Sequence, residues 1–285
     1  MLKWEHSIYL SHYEPQDRKK LAKLLKRQLR NIGRIYLAEG TIKYTTDGGR
    51  ASGDMNTSLG NVLIMCCLIW TYMQQFHIDF RIIDDGDDAG IIVSRKHWRE
   101  VSDGIIPWFL DMGFTMKVEP PVFEIPSIEF CNTKPVLAAG RWVMTRLVPN
   151  CIVKDTHSLL PLNNSKAVKN FYKSIGDCGL ALASGVPILQ ELYRLYIRSA
   201  GNAKGFGLHT GLESGMLQMA IGMKVVAAPV STEARYSFYV AFGYTPDEQV
   251  SYENYLRSID ALPTSFMPGL QDSHDFCNMS HWLHV

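Results

Sequence analysis

The sequence predicts an α+β fold, with helices layered around an antiparallel hairpin and a mainly helical second half. Three observations carry this. Phe80-Arg81-Ile82-Ile83 and Ile91-Ile92-Val93 are apolar, β-branched runs on either side of Asp84-Asp85-Gly86-Asp87-Asp88, and Asp85-Gly86 supplies the positive φ that a tight turn needs. Residues 54–75 place Met55, Leu59, Val62, Leu63, Cys66, Ile69, Trp70 and Met73 at helical spacing. Beyond Val136 the pattern turns helical, over 165–184, 187–199, 214–223 and 247–258.

In chain order, residues 15–33 read first as a basic amphipathic helix. Leu21, Leu24, Leu25, Gln28 and Ile32 recur at helical spacing, Arg18, Lys19, Lys20, Lys23, Lys26, Arg27 and Arg30 lie between them, and Gly33 ends it. Such a face is solvated or tracks phosphates. Residues 35–44 alternate around Gly40 as a hairpin, and 45–53 form a glycine-rich loop. The long helix from 54 follows, with Asp54 or Ser52 as its N-cap. After the carboxylate hairpin come a helix over 96–112, short strands over 114–119 and 128–131, and between them a loop holding Pro120, Pro121 and Pro126. The division between the two parts is expected at 138/139, giving 1–138 and 139–285.

The chain has 285 residues, 46% hydrophobic and 20% charged, with a formal net charge of +1. That is enough to bury a core, and whole-chain charge points to no polyanion. Cys66, Cys67, Cys131, Cys151, Cys178 and Cys277 include no Cys-x-x-Cys pair, which argues against a disulfide framework or a four-thiolate zinc site and favours a reducing compartment. The longest apolar stretch, 62–72, is too short to span a bilayer. His274, Cys277, His281 and His284 are spaced to share a helix face and could bind zinc.

Four crowded carboxylates at a hairpin tip repel one another and recruit cations, and hard oxygen donors suit Mg²⁺ or Mn²⁺, although a solvated turn has the same composition. The preceding segment, Arg50-Ala51-Ser52-Gly53-Asp54-Met55-Asn56-Thr57-Ser58-Leu59-Gly60-Asn61, opens a helix whose exposed amides could meet a nucleotide or template backbone. Thr57 and Asn61, four apart, share a helix face and could hydrogen-bond a ribose, including its 2′-hydroxyl.

Together these segments resemble the RNA-dependent RNA polymerases of positive-strand RNA viruses, most closely the tombusvirus-like group. SGDMNTSLGN is similar to that group's motif B and DDGDD to its motif C. GFTMKVE at 113–119 resembles motif D, and FCNTKP at 130–135 motif E. The resemblance continues through RWVMTR at 141–146, ALASGVPILQELY at 181–193 and AFGYTPDEQV at 241–250. It implies a right-hand polymerase palm over 1–138 and a helical thumb over 139–285, with the fingers absent.

The roles it implies are catalysis and metal binding for Asp87 and Asp88, and nucleotide or template contact for Ser52, Gly53, Thr57 and Asn61. Lys117 is the implied general acid, Phe130, Cys131 and Lys134 a primer grip, and Asp54 a helix cap. The implied partners are template and nascent RNA, nucleoside triphosphates and other viral replicase proteins, with no DNA, and the cofactor is Mg²⁺ or Mn²⁺. The setting is host cytoplasm, at membrane-associated replication sites reached through a partner or another segment. Motif A has no match, Trp4-Glu5-His6-Ser7-Ile8-Tyr9 resembles the helix after it, and Met1 reads as an internal methionine. A fingers and motif A segment is therefore an expected partner, and the chain alone is expected to be inactive. The competing expectation is a non-catalytic RNA-binding or replicase-interaction protein that keeps the fold.

Overall fold

A computed structural model describes residues 1–158, 162–206 and 215–264. The chain forms two compact units, Met1–Pro121 and the residues from Val122 onward. Both mix helices with antiparallel two-stranded hairpins, which is the expected α+β class. The unit boundary precedes the division expected at 138/139, and that position falls in the turn of a hairpin belonging to the second unit. The histidine and cysteine cluster at 274–284 lies outside the described residues.

In the first unit, α1 (Leu2–Ser11) and α2 (Pro15–Gln28) precede the hairpin of β1 (Arg30–Leu37) and β2 (Gly40–Asp47). α2 stops short of the expected 33, because the run from Arg30 is claimed by strand pairing from Arg30↔Asp47 to Leu37↔Gly40. Gly33 is thus a strand residue; the Tyr44 ring packs so closely over it that a Cβ there would stand 2.0 Å from the ring. α3 (Thr57–Met73) begins after Asp54, with Asn56 at its N-cap. Asp54 instead accepts a bond from the Ala51 amide at 3.2 Å, closing a turn rather than capping the helix.

β3 (Phe80–Asp84) and β4 (Ala89–Val93) pair from Phe80↔Val93 to Asp84↔Ala89. One face, with Phe80, Ile82, Ile91 and Val93, packs onto a core of Ile64, Leu68, Ile69, Tyr72 and Met73 from α3 and Val101, Ile105 and Phe109 from α4 (Trp98–Asp111). The opposite face leaves Ile83 and Ile92 exposed. The two-residue alternation of a half-buried strand is therefore met. Residues 114–119 form no strand: Phe114 and Met116 lean on this core, and the backbone finds no ladder partner among the described residues. No helix of the described residues is long and apolar enough to cross a membrane.

The second unit opens with a short 3-10 turn at Ile125–Ser127. Residues 128–131 are not a strand; only the Phe130↔Thr133 bridge forms, because Cys131 and Asn132 between them turn at φ 51° and 56°. β5 (Thr133–Ala138) and β6 (Arg141–Arg146) follow, joined by Ala139 and Gly140, both at positive φ. Two positive φ values in a row match the right-handed strand twist of a two-residue hairpin.

Among the described residues of this unit the helices α5 (Val148–Asp155), α6 (Ser165–Leu182), α7 (Leu189–Ala200), α8 (Gly215–Ala220), α9 (Thr232–Phe242) and α10 (Pro246–Ser258) follow. Its core gathers Val136, Val148, Leu180, Leu189, Tyr193, Tyr196 and Phe238. Arg146 grips the buried Asp155 carboxylate with bonds of 3.0 and 2.9 Å, and the Tyr193 hydroxyl adds a third at 2.8 Å. Burial first, then the Cys151 and Asp155 charges, push the Tyr193 phenol well above its ordinary value.

Candidate functional site

The carboxylate turn is fixed from within. The Gly86 amide donates to Asp84 Oδ1 at 2.7 Å, Asp85 N donates to the Asp88 carbonyl at 2.9 Å, and Gly86 sits at φ 98°. The other Asp84 oxygen accepts from Cys66 Sγ on α3 at 3.0 Å. Burial, then the Asp84 bond and charge, push the Cys66 thiol up to about 11. Asp84 therefore serves the turn's shape, whereas Asp87 and Asp88 are exposed, and neither carboxylate has a hydrogen-bond or ion-pair partner among the described residues.

The long helix brings the second set of candidates to this turn. A Cβ built on Gly86 would stand 3.1 Å from the Asn61 Cβ, so Asn61 lies directly against the turn that presents Asp87 and Asp88. Its amide has no hydrogen-bond partner among the described residues and is free for a ligand. Thr57, on the same face, donates its hydroxyl proton to the Asp54 carbonyl at 2.7 Å, leaving its oxygen as an acceptor. Ser52 and Gly53 form an exposed loop, with Gly53 at φ 92°.

Below that loop lies a network that periodicity does not reveal. Glu5 on α1 is fully buried and accepts bonds from Tyr9 Oη at 2.7 Å and Asn56 Nδ2 at 2.8 Å, as well as a close ion pair from Arg50. Arg50 also donates to the Asn56 carbonyl at 3.1 Å, and Gln28 to the Asn56 side chain at 2.8 Å. Burial alone would raise the Glu5 pKa, but the Arg50, Tyr9 and Asn56 bonds outweigh it and hold the carboxyl below its ordinary range. The Tyr9 phenol is pushed up to about 12 by burial and by Glu5. Gly60 makes room for the pair on α3, since a Cβ there would stand 2.2 Å from Glu5 Oε1. Its sequence signal is faint: Glu5 is a lone acid between Trp4 and His6 in a short helix.

The remaining candidates lie on other segments of the chain. Lys117 is exposed on the segment after α4, 3.8 Å from Glu119. In the second unit Phe130 and Cys131 form the turn before β5, where the Thr133 hydroxyl donates to the Phe130 carbonyl at 2.6 Å, and Lys134 pairs with Glu129 at 3.5 Å.

The family model for viral RNA dependent RNA polymerase matches residues 1–262. This chain belongs to that family. It is 40% identical over 259 residues to the RNA-directed RNA polymerase of Carnation mottle virus, covering 90% of this chain and 33% of that relative. The corresponding protein of Tobacco necrosis virus (strain A) is 35% identical over 268 residues, and that of Turnip crinkle virus 36% over 279. The alignments take in 92% and 95% of this chain, and 37% and 35% of those relatives. The chain thus spans about a third of the length of the curated relatives it matches. The expected kinship of this chain with tombusvirus-like polymerases is established by these matches.

The carboxylates' chemistry fits a hard divalent cation, because two exposed oxygen donors project from a turn whose backbone is already pinned. The donor set is short, however. Among the described residues no group of three or more His, Cys, Asp or Glu side chains comes together to hold a metal ion.

Proposed function

We propose that this chain supplies the palm motifs and thumb of an RNA-directed RNA polymerase, with 1–138 as the palm portion and 139–285 as the thumb. The reaction is attack of the 3′-hydroxyl of a nascent RNA on the α-phosphate of a nucleoside triphosphate, with pyrophosphate leaving. The observation that carries this is the seating of Asn61 against the Gly86 turn, which sets an amide able to hydrogen-bond a ribose at the same turn that presents two exposed carboxylates.

In this reading Asp87 is the main ligand for Mg²⁺ or Mn²⁺ and Asp88 the auxiliary one. A bound ion supplies charge neutralisation at the reacting phosphates. Asn61 and the Thr57 oxygen hydrogen-bond the ribose, and the 2′-hydroxyl they meet separates RNA from DNA. Ser52 and Gly53 offer backbone amides to the template strand. Lys117 protonates the leaving pyrophosphate, and Phe130, Cys131 and Lys134 hold the growing strand. The protein works in host cytoplasm at membrane-associated replication sites, with other replicase proteins.

Two carboxylates do not complete the metal site, so a fingers and motif A segment supplies another, and the chain alone is inactive. Incorporation of labelled nucleotide on a primed homopolymer template tests this. No incorporation is expected from the chain alone, restoration on adding a segment with motif A, and loss again with Asp87→Ala. Steady incorporation by the chain alone refutes the incomplete site, and activity retained in Asp87→Ala removes Asp87 from it. The short donor set also favours a second reading, a non-catalytic RNA-binding or replicase-interaction protein, which no added segment would activate.

A further inference from the structure

The charge of this chain is concentrated, not spread. Between Pro15 and Asp47 stand nine lysines and arginines against three acids, in a chain whose net charge is only +1. Lys20 meets Asp17 at 3.8 Å and Arg30 meets Asp47 at 3.6 Å, while Arg18 donates to the Tyr13 carbonyl. Lys19, Lys23, Lys26, Arg27, Arg34 and Lys43 have no acidic partner among the described residues, and all six are exposed. On α2, Lys19, Lys23 and Lys26 or Arg27 fall on one stripe at steps of three and four, spanning about 12 Å of helix.

The hairpin continues this tract, since a single residue, Leu29, separates α2 from β1. Arg34 and Lys43 are direct cross-strand partners, and like charges placed opposite one another weaken a ladder unless an anion lies between them. Tyr36 shares their face by the two-residue period and is 74% exposed. Cations interleaved with an unburied aromatic are the two parts of a single-stranded nucleic-acid surface, one for phosphates and one for stacking a base.

We infer that α2 and the Arg34, Lys43 and Tyr36 face of the β1–β2 hairpin form a binding surface for single-stranded RNA that uses none of the residues of the carboxylate turn. An anionic membrane is the weaker match. A helix that lies in a bilayer interface needs a broad apolar side free, but of the leucines on α2 only Leu24 is exposed, Leu25 being buried and Leu21 half-buried in this unit. The choice of RNA as the polyanion rests on the polymerase reading; the existence of the surface does not.

The test is fluorescence anisotropy of a labelled oligouridylate of about 15 nucleotides, titrated with the full chain from about 50 to about 200 mM salt. Six phosphate contacts give a slope of log affinity on log salt of roughly −4, equivalent to about a 300-fold loss over that range. The triple variant Lys19→Gln, Lys23→Gln, Lys26→Gln reduces the slope to roughly −2. Tyr36→Ala weakens binding about 10-fold without changing the slope. These are exposed positions, and circular dichroism confirms that the variants fold. An unchanged slope in the triple variant overturns the inference, as does binding to phosphatidylserine vesicles with none to the oligonucleotide. Asp87→Ala leaves RNA affinity within about 2-fold while abolishing incorporation in the reconstituted polymerase, so failure of the polymerase reading and failure of this surface are read separately.

Discussion

Gly60→Ala is the most demanding test of how the loop before α3 is held. In an ordinary helix interior the change stabilises by about 1 kcal/mol, since alanine loses less backbone entropy than glycine. Here a Cβ would stand 2.2 Å from Glu5 Oε1 and 2.4 and 2.5 Å from the two terminal nitrogens of Arg50. Side-chain ends at a surface would swing away cheaply. Glu5 cannot, because it is fully buried and committed to Tyr9, Asn56 and Arg50. Separating a buried ion pair costs about 3–5 kcal/mol, so the net expectation is a loss of about 2 kcal/mol or more after the propensity gain. Urea unfolding at neutral pH should show the midpoint of the first unit falling by roughly 1 M with its slope unchanged. Amide exchange over 51–57 should quicken at the same time. A midpoint equal to or above that of the unaltered chain would refute the claim that Gly60 houses the Glu5 and Arg50 pair.

The same carboxylate predicts a pH dependence: its folded pKa lies below the ordinary 4.5, so its stabilisation is complete above that value and is lost as pH falls through the lower folded one. Glu5→Gln should flatten that part of the stability profile, measured by thermal melts from neutral to acid. Cys66, with its thiol pushed up to about 11 from 9.0, should alkylate about 10-fold more slowly at pH 8 than an unperturbed thiol, the loss of thiolate being partly offset by its greater nucleophilicity, with peptide mass spectrometry as the readout. Asp84→Asn should speed that alkylation. Asp155→Ala leaves the Arg146 guanidinium without its buried partner and should destabilise the second unit by about 3 kcal/mol in denaturant.

The hairpin carrying the four aspartates was readable because both of its signals are local, alternating β-branched residues and a residue pair that permits positive φ. The long helix was readable from its apolar spacing. What the sequence concealed depends on distant partners. The 15–33 periodicity ran past the true helix end because Ile32 suits a helix stripe and a strand equally, and only pairing with β2 decides between them. The runs 114–119 and 128–131 look like strands, yet a strand exists only where its backbone finds a ladder. The family motifs located the candidate site residues, but not the Glu5 and Arg50 network beneath Ser52 and Gly53, because its members stand 45 residues apart in sequence. Helices α1, α5 and α9 are short or weakly periodic, and their burial follows from neighbours rather than composition.

The space that Gly60 leaves for Glu5 and Arg50 also constrains how this segment can change over evolutionary time. A side chain gained at 60 is tolerable only if the acid at 5 or the base at 50 shrinks in the same lineage, and loss of either charge alone strands the other. The three positions should therefore vary together or not at all among related viruses. A recombinant that takes α1 from one parent and the loop before α3 from another would inherit a mismatched trio unless both parents had kept the same solution.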